Sequence, residues 1–195
     1  MRKLTYTGII ALISIFSSCS SGVENVADNL KEEVSSNSFS SWVTIDNEDG
    51  RFSVRLPGKP TQSSVKEPTL VGDIMIEMFI YEESSTQAFL VGYNDYPSGM
   101  FEGAEEETIN SMLEGGVSGF TSSIGLNVVE EKEFIELSGH KGIYAKAKST
   151  SNGYHVYYRA YTAGNRLYQV GIMRDGSYPS KEKSEAFFNS FVIND

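Results

Sequence analysis

From Trp42 onward the chain reads as short runs with apolar side chains at every second position, the period of strands with a buried face. Trp42-Val43-Thr44-Ile45 and Phe52-Ser53-Val54-Arg55-Leu56 flank the turn signal Asp49-Gly50, and Pro57-Gly58 stops the second run. Residues 73–82 put Ile74, Ile76, Met78 and Ile80 on one face and Met75, Glu77, Phe79 and Tyr81 on the other, so cover is expected on both sides. Gln87–Tyr93 returns after Ser84-Ser85-Thr86.

Across 102–120 the period becomes helical. Ile109, Met112, Leu113, Val117 and Phe120 share one face, and Glu105, Glu106 and Glu107 sit at the positive end of the helix dipole. Gly115-Gly116 either weakens this helix or lets it lie close to a sheet. Strands resume at 128–137, 142–149, 154–161 and 166–173, the last two joined through Gly164-Asn165, a pair suited to a hairpin turn. Ser180 then caps a final helix with Phe187, Phe188 and Phe191 facing inward. Two runs of strands, each followed by a helix, predict an α+β domain on an antiparallel sheet flanked by helices. That domain is expected at 41–195, after a signal peptide at 1–18 and a polar tether at 19–40.

The first residues carry a different pattern. Arg2 and Lys3 precede an apolar stretch from Leu4 to Phe16, and Ser17-Ser18 close it. These are the parts of a secretory signal, and the stretch is short for a permanent span, which needs about 20 residues. Cys19, the only cysteine, follows the small residues as in the lipobox of bacterial lipoproteins. That resemblance implies a thiol carrying diacylglycerol, with an N-acyl chain such as palmitate on the new terminus. As a flexible coil the next 20 or so residues would span roughly 25 Å, enough to hold a domain clear of a bilayer. Ser20 in place of an aspartate leans the expected address towards the outer membrane.

Composition narrows the options. The sequence has 26 acidic and 16 basic residues; without residues 1–18, 14 basic residues stand against 26 acidic, a net −12. Such a surface repels phosphate backbones and anionic lipid alike, so nucleic-acid binding is not expected and attachment falls to acyl chains. One cysteine makes no internal disulfide and no cysteine-rich zinc site.

Each candidate for chemistry reads better as structure. Ser138-Gly139-His140-Lys141 fits S-x-x-K, but that chemistry needs a helix start, and flanking glycines and strands make a turn here. Gly116-Val117-Ser118-Gly119-Phe120 misses the last glycine of G-x-S-x-G and lies in or just after the helix. His140 and His155 lack metal-site spacing, and Asp46-Asn47-Glu48-Asp49-Gly50 departs from the calcium-loop pattern. Glu82-Glu83, Glu105-Glu106-Glu107 and Glu130-Glu131 sit at element ends, as solvated carboxylates do. The tyrosines remain: Tyr157 and Tyr161 share one strand face with His155 and Arg159, Tyr154 and Tyr158 the other, and Tyr168 lies on the next strand. Aromatics are favoured in strands, so ordinary sheet packing is the expected reading of this run, with a ligand-binding face as the alternative. No catalytic, metal-ligating or cofactor-binding residue is assigned, and no cofactor is expected.

Three stretches in order resemble a bacterial family of small exported domains related to PsbP: Gly50–Pro60, Gly164–Val170, and Ala186-Phe187-Phe188-Asn189-Ser190-Phe191. The likeness runs from about Trp42 to Val192. It implies an α/β/α sandwich, an antiparallel sheet with helices on both sides. It also implies a mostly non-enzymatic role, as a partner-binding module, an envelope lipoprotein or an extrinsic subunit of the oxygen-evolving complex. The matching positions read as turn glycines and core aromatics, so no functional residue transfers. The expectation is a non-catalytic, lipid-anchored envelope protein that binds a partner or small ligand. The alternative is an envelope hydrolase using carboxylates brought together by folding.

Overall fold

The computed structural model describes residues 39–194, apart from 70, 71 and 102. The expected signal peptide, Cys19 and all but the end of the tether lie outside the described residues. In chain order the described elements are β1 (Val43–Asn47), β2 (Phe52–Leu56), β3 (Thr61–Thr69), β4 (Gly72–Ser84), β5 (Gln87–Asp95), α1 (Glu106–Ser123), β6 (Val128–Leu137), β7 (His140–Lys148), β8 (Tyr154–Ala163), β9 (Arg166–Asp175), α2 (Lys181–Asn189) and β10 (Val192–Ile193).

The strands form two antiparallel sheets, a seven-stranded one in the order β3-β4-β5-β9-β8-β7-β6 and a three-stranded one in the order β1-β2-β10. After the meander β3-β4-β5 the chain crosses through α1 to the far edge at β6. It then walks back until β9 pairs with β5, Val91 opposite Val170. The hairpin expected at Gly164-Asn165 is present, with Gly164 at φ 57°. A second tight turn joins β6 to β7 through Ser138 (φ 51°) and Gly139 (φ 87°), the double positive φ of a type I′ hairpin.

Strand alternation gives the large sheet two apolar faces. On one, Phe79, Phe89, Val91, Tyr93, Tyr161, Tyr168, Val170 and Ile172 meet Phe52, Val54 and Leu56 of β2, with Trp42, Phe187, Phe188 and Phe191. On the other, Ile143, Ala145, Ala147, Val156, Tyr158 and Ala160 meet Leu113, Val117 and Phe120 of α1. Phe120 stacks on Tyr158 with ring centroids 4.4 Å apart. A Cβ at Gly116 would meet Leu167 Cδ2 at 3.5 Å, an ordinary contact distance, and Gly115 faces open space, so the approach of α1 to the sheet requires neither glycine. The helix period therefore selected the correct buried face.

The fold is α+β, dominated by antiparallel sheet, with two helices among the described residues. A sheet with helices covering both sides describes it only in part. α1 lies on one face, but on the other the nine-residue α2 shares the cover with the three-stranded sheet. Several boundaries also differ from expectation. The helix expected over 102–120 runs from Glu106 to Ser123, and the strand expected from Gly142 already begins at His140. β3 and β10 carry too little apolar alternation to be expected at all. β3 is Thr-Gln-Ser-Ser-Val-Lys-Glu-Pro-Thr, tolerable because it is a sheet edge, where charged residues discourage further pairing.

Candidate functional site

The site lies on the β6–β8 half of the large sheet, on the face shared with the three-stranded sheet. Register sets Tyr144 opposite Arg159, Lys146 opposite Tyr157 and Lys148 opposite His155, so these side chains share a face. A bulge between Val129 and Glu131 interrupts the β6–β7 pairing, and Glu130 and Glu131 both reach the lysines of β7. Lys146 Nζ is 3.4 Å from Glu130 and 3.0 Å from Glu131, and Lys148 also pairs with Glu130.

Tyr178, from the segment joining β9 to α2, completes the surface. Its ring lies nearly flat on Tyr157 (centroids 5.0 Å apart, planes at 25°), and Tyr157 in turn stacks with Tyr144 (6.4 Å, 23°). The His155 ring meets Tyr178 edge-on at 4.7 Å, and Lys146 Nζ stands 4.8 Å from the Tyr178 ring centre. The Tyr178 hydroxyl donates to Glu130 Oε2 at 2.9 Å. His155 Nδ1 is 2.8 Å from the Gly153 carbonyl; because that oxygen only accepts, Nδ1 carries the proton. All these rings are half-buried.

The charges define what this surface can do. The Lys148 ammonium first, and then the Tyr178 hydroxyl, hold the Glu130 carboxyl down to about 2. Burial, reinforced by Glu131, pushes the Tyr144 phenol up to about 12, and burial followed by the hydrogen bond to Glu130 raises Tyr178. Near neutral pH the face therefore presents an ionised carboxylate, ammonium groups and protonated phenols. These stack rings and exchange hydrogen bonds. A glycosidase acid needs a carboxyl raised towards neutrality, and Glu130 is displaced the other way.

The remaining candidates are scattered. Of the tyrosine run only Tyr157 lies on this half-exposed face. Tyr154 and Tyr158 are buried beneath α1, and Tyr161 and Tyr168 belong to the opposite core. Tyr158 donates to Gln169 at 3.0 Å and Tyr168 to the Gly50 carbonyl at 2.8 Å, which fixes both as structural. Ser138 is a hairpin-turn residue and Lys141 Nζ pairs with Glu106 at 3.0 Å, so S-x-x-K forms no nucleophile–base pair. Glu83 is bound by Lys183 at 2.7 Å. The three glutamate groups occupy the end of β4, the start of α1 and the bulge of β6.

The acidic segment 46–50 is a turn, as expected. Asn47 Oδ1 accepts from the Gly50 amide, and Arg51 N–H donates to the Glu48 carbonyl at 3.1 Å. Arg166 Nη1 donates to the Asp49 carbonyl at 2.7 Å, while Nε and Nη2 each reach Asp95 at 2.6 Å. No group of three or more metal-ligating side chains occurs among the described residues.

Sequence reasoning missed Tyr144, Lys146, Lys148 and Tyr178. The first three carried a usable signal, since they alternate with the buried Ala145 and Ala147 and so had to share the opposite face. Tyr178 carried none; it lies between elements, where no period applies.

No family model and no curated protein matches this sequence. Among solved structures, the chain is similar to the solution structure of cyanobacterial PsbP (CyanoP) from Synechocystis sp. PCC 6803. The TM-score is 0.51 at 11% identity, covering 78% of this chain and 92% of that one. A protein from Bacteroides thetaiotaomicron VPI-5482 is matched more loosely, with a TM-score of 0.44 at 10% identity, over 78% of this chain and 48% of that one. At such identities only the architecture is comparable, and on the first likeness the chain has a PsbP-like fold.

Proposed function

We propose that this chain is a non-catalytic accessory module of the bacterial cell envelope that binds a partner or small ligand through the β6–β8 face. It is held by lipid on Cys19, with residues 19–40 as the tether and the outer membrane as the expected address. The observation that carries the binding role is the stacked Tyr144, Tyr157 and Tyr178 rimmed by Lys146, Lys148, Glu130 and His155. Aromatic faces beside paired charges supply contact area and directional hydrogen bonds together. The PsbP-like fold is consistent with an accessory role, and the depressed Glu130 carboxyl speaks against acid catalysis at the same place.

The anchor is supported by the sequence alone: basic start, apolar core, small residues, then the sole cysteine. A diacylglycerol with an added acyl chain would make release from a bilayer slow, each buried CH₂ contributing about 0.8 kcal/mol. Metabolic labelling with an alkyne fatty acid is the test. Label on the wild-type chain that disappears with Cys19→Ser is expected, and label that persists in that variant would refute the anchor.

A further inference from the structure

We propose that Tyr178 is a resident occupant of a phenol-binding site formed by Tyr157, His155, Lys146 and Glu130, and that an external phenolic ring takes its place. This rests on the reading of the β6–β8 face as the binding face and names the chemistry it takes.

The contacts of the Tyr178 ring and hydroxyl are each ones that a free phenol could make. Tyr157 supplies a flat stacking partner at 5.0 Å, His155 an edge contact at 4.7 Å, and Lys146 an ammonium 4.8 Å from the ring centre. Glu130, held by Lys146 and Lys148, accepts the hydrogen bond of the hydroxyl at 2.9 Å. Tyr157, His155 and Lys146 belong to the paired strands β7 and β8 and Glu130 to the bulge of β6, whereas Tyr178 sits on the connection after β9, exposed at 176, 177 and Ser180. Gly176, at φ 77°, turns that connection just ahead of the ring, and its amide donates to the Gly153 carbonyl at 3.0 Å, which leaves Ser177 and Tyr178 itself to move. Pro179 is buried, and Ser180 caps α2 with its hydroxyl accepting from the Lys183 amide, so the far end stays fixed while the ring moves. The site's preference follows from the same contacts. The carboxylate rewards a hydroxyl on the ring, and the ammonium rewards an electron-rich face.

An occupant tethered in this way competes at high effective concentration and weakens external binding by the fraction of time the site is closed. The full chain, solubilised in detergent, is titrated with phenol, N-acetyltyrosinamide and N-acetylphenylalaninamide while NMR signals of His155, Lys146 and the Tyr157 ring are followed. Tyr178→Ala should bind phenol at least about tenfold tighter than wild type, because a site closed nine-tenths of the time loses that factor. Tyr178→Phe, which keeps the ring and loses the bond to Glu130, should fall between them. N-acetyltyrosinamide should bind more tightly than N-acetylphenylalaninamide. If it matches or exceeds phenol the source is a tyrosyl side chain, and if only phenol binds it is a small phenolic compound.

A cooperatively folded Tyr178→Ala chain with no saturable shift, or with the same affinity as wild type, would overturn the proposal. If Tyr178→Ala does not fold, Tyr178→Phe against wild type carries the same test. Phenol binding without any partner found in the envelope would leave this site standing and count only against the broader accessory role.

Discussion

Phe52→Ala tests whether the three-stranded sheet is integral to the fold that presents the binding face. Phe52 is fully buried, and its ring lies 5.5 Å from Phe79, 6.3 Å from Tyr93, 6.4 Å from Tyr168 and 5.8 Å from Phe191. It therefore links the small sheet to β4, β5 and β9 and to the segment after α2. Truncating such a ring to alanine costs about 3–5 kcal/mol in lost transfer energy and residual cavity. Four neighbouring rings place this site towards the upper part of that range, since each aromatic pair adds roughly 0.5–1.5 kcal/mol beyond area. For a domain of this size 1 kcal/mol moves the melting temperature by about 2–4 °C, so a fall of roughly 8–16 °C is expected. Urea unfolding, followed by Trp42 fluorescence and by far-ultraviolet circular dichroism, is the assay. Trp42 is the only tryptophan and packs against Phe89, with rings 5.7 Å apart, so it reports the seam between the sheets. The two probes should give one shared transition, displaced in the variant. Val43→Ala, on the exposed side of β1, should cost less than about 0.5 kcal/mol. A loss below about 1 kcal/mol for Phe52→Ala, or a Trp42 transition well ahead of the dichroism, would refute the reasoning.

Two further outcomes follow from named contacts. Arg166→Ala should destabilise by about 2 kcal/mol in urea, since hydrogen bonds to charged partners are worth roughly 1.5–3 kcal/mol and Asp95, 55% exposed, is partly screened. Asp95→Ala should cost less than Arg166→Ala, because Arg166 keeps its bond to the Asp49 carbonyl and its place 4.3 Å over the Tyr93 ring; the reverse order would count against this pinning role. The Tyr178–Glu130 contact should survive mild acid. Glu130 is depressed in the folded state, so its contribution is present above its ordinary value of 4.5 and is lost as pH falls through about 2. Tyr178 is raised, so its contribution is full below its ordinary value of 10.0 and is lost only as pH rises beyond that. Chemical shifts of the Tyr178 ring should hold from neutral pH to about 3, and release between about pH 4 and 5 would contradict the assignment.

The sequence made the core legible because burial imposes a period. Leu113, Val117 and Phe120 on the helix, and Phe187, Phe188 and Phe191 near the end, were each expected inward and are buried. Where burial imposes nothing, the reading failed. β3 is an edge strand of mostly exposed polar residues and left no alternation to see. The tyrosine run drew notice for its composition, yet four of its five members are packing groups, because strand alternation sends Tyr154 and Tyr158 under α1 and the neighbouring core takes Tyr161 and Tyr168. The site itself depends on two long-range coincidences. A bulge brings Glu130 to the lysines of β7, and the connection after β9 lays Tyr178 over Tyr157. Pairing register and loop course decide both, and neither leaves a local mark in the chain.

The most direct test of the binding role is photo-crosslinking in intact envelopes. A photoreactive residue replaces His155 at the rim of the face in one chain, and in another replaces Ser118, which is exposed on α1. A discrete adduct from position 155, saturable and competed by unlabelled protein, with none from position 118, is the expected result. No adduct from position 155, or equal adducts from both positions, would contradict the assignment of the β6–β8 face as the binding surface.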